Sequence, residues 1–78
     1  MNSHHRIETK PDVMLGKPVI KGTRIPVELL VRKMGEGASV QDLLDAYPNL
    51  REQDIQAALI YAADTLANEL TIYLETGT

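Results

Sequence analysis

The side chains that most often carry out chemistry are scarce in this sequence. Cysteine is absent, which removes disulfides, thiolate nucleophiles and thiolate metal sites together. Histidine occurs only as the adjacent pair His4 and His5, in a chain start without a fixed scaffold, so the pair reads as flexible terminus and not as a general base or ligand set. The run Gly16-Lys17-Pro18-Val19-Ile20-Lys21-Gly22-Thr23 holds the residue types of a phosphate-binding loop in the wrong order. Such a loop needs its lysine after the second glycine, where it reaches the β- and γ-phosphates. Here lysine precedes glycine and Pro18 removes an N–H donor, which argues against nucleotide binding. Asp42 and Asp45 lie three apart, a spacing that solvated surface acids show far more often than metal sites do. Glu52 and Asp54 suit the first turn of a helix, where the macrodipole favours negative charge. These residues point to no catalysis, no metal and no cofactor.

Charge is the more informative signal. The chain has 78 residues and a net charge of −3. Its first 33 residues carry seven bases (Arg6, Lys10, Lys17, Lys21, Arg24, Arg32, Lys33) against three acids, a balance of +4. Residues 34–78 carry Arg51 alone against eight acids, a balance of −7. Such asymmetry suits an anionic partner at the basic end and a basic partner at the acidic end, although two solvated faces give the same pattern. The longest apolar run, Ala57 to Ala63, has seven residues, too few for a membrane span or a signal peptide. With no cysteine, the expected compartment is the cytoplasm. Three tyrosines are the only aromatics, which leaves little from which to build the base-stacking platforms of single-stranded nucleic-acid binders.

The elements that position these charges follow from hydrophobic periodicity. Ile7-Glu8-Thr9 suits a short strand. In Pro18 to Pro26, two β-branched pieces flank Lys21-Gly22, the pattern of a small hairpin with both prolines at its outer ends. From Pro26 the period lengthens: Val27, Leu30, Val31 and Met34 mark a first helix, ended by Gly35-Glu36-Gly37. Ser39 followed by Asp42 forms a capping-box variant ahead of Val40, Leu43, Leu44 and Tyr47, and Pro48 stops this second helix. A third helix is expected from Arg51 or Glu52, with Ile55, Leu59, Ala62 and Leu66 as its packing stripe and Ala58 and Ala63 beside it. Beyond Leu66 the spacing fits a helix or a strand, and helix continuation followed by a frayed or strand-like tail is expected. The fold expectation is a mainly α chain: a small N-terminal β-hairpin, then a three-helix, helix-turn-helix-like bundle. Residues 1–6 are read as a flexible start, 7–66 as one domain and 67–78 as a C-terminal extension.

A helix-turn-helix places the start of its recognition helix against base edges. Here Arg51 is the candidate for guanine and Gln53 and Gln56 for adenine, while Lys17, Lys21, Arg24, Arg32 and Lys33 are the candidates for phosphate contacts. Plain three-helix packing gives the same sequence pattern. The exposed side chains of the tail, Leu66, Leu70, Ile72, Tyr73 and Leu74, form a candidate surface for a partner or for a homodimer.

The run from Gly16 to Val27, Gly37 with Ser39-Val40, the segment Tyr47-Pro48-Asn49-Leu50 and the segment Asp54 to Ala62 together resemble the family called domain of unknown function 433. The resemblance spans roughly residues 7–66. It implies a homeodomain-like three-helix fold behind a small β element. It also implies an antitoxin that binds and silences a PIN-like ribonuclease and represses its own promoter. Where that family commonly caps its third helix with Ser or Thr, this chain has Arg51, which cannot accept the capping hydrogen bond and leaves that role to Asn49 or solvent.

Overall fold

The computed structural model describes the backbone of residues 3–77 and the side chains of residues 5–68. Two short strands, β1 (Ile7–Glu8) and β2 (Val19–Ile20), pair antiparallel with Ile7 opposite Ile20 and Glu8 opposite Val19. The expected turn at Lys21-Gly22 is present: Gly22 has φ +80°, and Thr23 Oγ1 donates to the Ile20 carbonyl and accepts from the Ile25 N–H. The returning arm, however, makes only a bridge from Pro26 to Val19. Pro26 has no N–H for a ladder and a helix begins at the next residue, which keeps this edge of β2 to one bridge while β1 pairs with its other edge. Ser3–Arg6, read from the sequence as flexible, form a 3-10 turn that leads into β1.

Three helices follow: α1 (Val27–Gly35), α2 (Val40–Ala46) and α3 (Glu52–Gly77). Helix α1 ends in a Schellman motif, in which the Gly37 N–H bonds the Met34 carbonyl, the Ala38 N–H bonds the Lys33 carbonyl, and Gly37 takes φ +108°. The capping box at α2 forms as its residues imply. Ser39 Oγ accepts from the Asp42 N–H at 3.0 Å, and Asp42 Oδ2 accepts from the Ser39 N–H at 2.9 Å. At the start of α3 the backbone of Arg51 and the side chain of Asp54 are joined. Asp54 Oδ2 accepts from the Arg51 N–H at 3.0 Å, and the Arg51 carbonyl accepts from the Asp54 N–H at 2.9 Å. Half of a capping box survives without a capping hydroxyl.

Ile20, Leu30 and Ile55 lie at the centre of the core, each 1% exposed, and Val27, Leu43, Leu50 and Ala58 close around them. Each burial of a large aliphatic side chain contributes about 1.5–3 kcal/mol. Ala57 and Ala58 are fully buried because their small side chains let α3 lie close to its neighbours. The expected α3 stripe is buried only at its N-terminal end: Leu59 is 39% and Leu66 58% exposed, and Ala63 is exposed. The reason is length. At about 1.5 Å per residue, the 26 residues of α3 outrun the nine of α1 and the seven of α2. The backbone of α3 continues as helix across residues 66 and 67, as expected, and on to Gly77, where a frayed or strand-like tail was expected.

Candidate functional site

The loop before β2, the turn after it and α1 bring three of the six basic residues expected to contact phosphates or bases to one place. Lys17, Arg24 and Arg32 line an open groove of about 420 Å³, together with Glu28 and the apolar side chains of Met14, Ile25, Leu29 and Tyr47. Lys17 reaches the groove from the loop before β2, Arg24 from the turn after β2, and Glu28 and Arg32 from successive turns of α1. Lys17 Nζ donates to Glu28 Oε1 at 3.0 Å and Arg32 Nη2 to Glu28 Oε2 at 3.4 Å. One carboxylate therefore tethers two of the bases. The Lys17 hydrogen bond first, then the Lys17 charge and then Arg32 hold the Glu28 carboxyl below the usual range. Lys21, Lys33 and Arg51 are exposed but lie outside this groove, on the β-turn, the last turn of α1 and the residue before α3.

Two features of this region carry no strong sequence signal. Met14, Leu15 and Gly16 follow one another with φ of 50°, 58° and 81°, and Leu15 is 94% exposed. Residues with a Cβ rarely adopt this conformation, and consecutive ones are unusual. The other feature is Arg6, whose Nη1 donates to Asp54 Oδ1 at 3.0 Å across 48 residues of sequence. That bond clasps the chain start onto the first turn of α3. Only the Glu28–Arg32 pair, with its i, i+4 spacing, was open to discovery from the sequence.

The second expected surface lies on α3. Leu66 is exposed as expected, whereas the side chains of Leu70, Ile72, Tyr73 and Leu74 lie outside the described residues. Leu59, Ile60, Ala63 and Ala67 are exposed beside Leu66, so the described outer half of α3 carries a continuous apolar face. His5 is exposed, and the side chain of His4 lies outside the described residues. Among the described residues, no group of three or more His, Asp or Glu side chains is arranged to hold a metal ion, and no helix is long and apolar enough to cross a membrane.

The family model described as "Protein of unknown function (DUF433)" matches residues 7–62, from β1 to the middle of α3. The chain belongs to the DUF433 family. It is 39% identical over 56 residues to the uncharacterized protein y4eO of Sinorhizobium fredii. That match takes in 72% of this chain and 25% of the relative, so the chain spans about a quarter of the length of that relative. It is also similar to the crystal structure of a DUF433 member from Anabaena variabilis, with a TM-score of 0.74 and 36% identity over 94% of this chain and 69% of the other. That likeness takes in nearly the whole chain, beyond the 56 residues that the family model matches.

Proposed function

We propose that this chain is a protein-binding inhibitor of the antitoxin type, whose α3 docks on and silences a small PIN-like ribonuclease in the cytoplasm. The observation that carries the reading is α3 itself. From Glu52 to Gly77 it holds five acids and no base, and it runs beyond the core with Leu59, Ile60, Ala63 and Leu66 exposed. A nuclease surface that binds RNA phosphates is positive, and a negative helix with an apolar face complements such a surface in charge and in hydrophobic contact. The test is co-expression with the product of the adjoining gene. Removal of residues 67–78 abolishes co-purification while the remaining helices stay folded by circular dichroism; undiminished co-purification refutes the reading.

The turn between α2 and α3 favours a second reading, a homodimeric, homeodomain-like repressor that binds its own promoter. Arg51, Gln53 and Gln56 are exposed around the start of α3, where a recognition helix meets base edges. Two features weigh against it: Glu28 already tethers Lys17 and Arg32, and Glu52 places a carboxylate next to Arg51, where phosphates would lie. A mobility shift on the upstream DNA, lost steeply with added salt, supports this reading. Binding that survives charge reversal at Arg24, Arg32 and Lys33 removes it.

A further inference from the structure

The groove beside α1 sets a cation among apolar side chains. Lys17 and Arg32 are bound to Glu28, whereas Arg24 is exposed and pairs with no acid among the described residues. A guanidinium in that state keeps its planar fork of donors, which fits a carboxylate through two parallel hydrogen bonds. Ile25, Leu29 and Tyr47 line the same groove half-buried, and Met14 lines it 39% exposed. Met14 reaches the groove from the left-handed turn, where residues 14 and 15 hold φ of 50° and 58° and both are exposed. Strain that gains nothing for the core concentrates at binding elements.

Arg24 and Ile25 also line a second groove of about 470 Å³, with Lys10, Val13 and Asn49. The two grooves thus form one track that passes Arg24, a shape suited to an extended segment and not to a compact ligand. Its two acids are already engaged. Glu28 holds Lys17 and Arg32, and Glu8 accepts from the Gly22 N–H at 3.1 Å and lies 3.9 Å from Lys10 Nζ. Against them stand four bases, so the track is positive and favours a negative partner. The apolar lining then decides which kind. A nucleic-acid backbone offers Ile25 and Leu29 no apolar group and sets phosphates beside the Glu28 carboxylate. A peptide that carries acids next to large apolar side chains satisfies both the charge and the lining.

We infer that this track is a docking site for an acidic, apolar-bearing segment of a partner protein. Arg24 takes a carboxylate of the segment, and the neighbouring aliphatic or aromatic side chain rests on Ile25, Leu29 and Tyr47. Lys17 and Arg32, held by Glu28, form a positive rim that orients the segment on approach. No described residue of α3 lines either groove, so the site is separate from the α3 surface. It does not rest on the nuclease reading, and its failure leaves that reading in place. It competes with the repressor reading for Arg24, and the test below separates the two.

Selection of a random peptide display library on the immobilised full chain tests it, followed by fluorescence anisotropy with the enriched peptide made synthetically. The expected sequences place Asp or Glu beside Leu, Ile, Phe, Tyr or Trp. Arg24→Glu weakens binding of that peptide by about tenfold or more. Lys33→Glu makes the same change in net charge at an exposed position outside both grooves and leaves the affinity within about twofold. Circular dichroism confirms that both variants are folded. In NMR spectra of the full chain the peptide shifts the signals of Ile25, Leu29 and Tyr47. The inference is overturned by a selection that enriches nothing or enriches peptides without acids, by equal binding to Arg24→Glu, by an equal loss in Lys33→Glu, or by shifts confined to α3. Duplex DNA that binds with the same dependence on Arg24, while no peptide is selected, assigns the track to phosphates and overturns it as well.

Discussion

Asp54→Ala removes the one buried carboxylate among the described residues and with it two hydrogen bonds at the start of α3. The residue is 8% exposed, and its two oxygens accept from the Arg51 N–H and from Arg6 Nη1, each at 3.0 Å. Loss of the bond to the helix terminus costs about 1 kcal/mol, by analogy with other N-terminal caps. The Arg6 bond is partly screened, since that side chain is 32% exposed, and contributes about 1 kcal/mol, between the values for surface and charge-assisted bonds. Together they amount to about 2 kcal/mol, a large fraction of the roughly 4–12 kcal/mol expected for a chain of this size. The expected fall in Tm is roughly 8–16 °C. Urea and thermal unfolding, followed by circular dichroism, measure both quantities. Arg6→Met loses only its own bond, so it costs about half as much, and the cycle of single and double variants gives a coupling of about 0.5–1 kcal/mol. A loss below about 0.5 kcal/mol in Asp54→Ala, or zero coupling to Arg6, refutes the clasp.

Three further outcomes follow from the same geometry. Ser39→Ala opens the capping box at α2 and lowers stability by about 1 kcal/mol in urea unfolding, whereas Ser39→Asp retains most of it. Leu15→Asn, at φ 58° and 94% exposed, relieves strain and raises stability by about 0.5 kcal/mol; a destabilised variant contradicts that assignment. The Glu28 carboxyl, lowered by the Lys17 bond, contributes stability that is fully present above its unfolded-chain pKa and is lost as pH falls through the lower folded value. In an NMR titration Lys17→Met raises the Glu28 midpoint, and an unmoved midpoint shows that the Lys17 bond does not form in solution.

How much of this was legible in the sequence differs from element to element. The period of Val27, Leu30, Val31 and Met34, the stop at Gly37 and the Ser39–Asp42 box are local signals, and the helices and caps stand where those residues put them. Strand pairing was only half legible. Turn chemistry announced Lys21-Gly22, but not that β2 would pair with Ile7–Glu8 on its other edge, while the missing N–H of Pro26 and the start of α1 hold the returning arm to one bridge. Along α3 the stripe through Leu59 and Leu66 is genuine as a pattern, yet a pattern carries no information about where the rest of the body ends. The contacts that build the candidate groove and clasp, Lys17 to Glu28 and Arg6 to Asp54, join residues 11 and 48 positions apart. No periodicity encodes such contacts. The turn at Met14 and Leu15 ran against expectation, because neither residue type favours a left-handed backbone.

In the proposed reading this DUF433 chain acts by binding a nuclease through α3. The most direct measurement is RNA cleavage by the purified product of the adjoining gene, with the full chain added in increasing amounts. Cleavage that falls to background at one chain per nuclease, and returns when residues 67–78 are removed, is the result predicted. Cleavage that proceeds unchanged at a large excess of the full chain contradicts it.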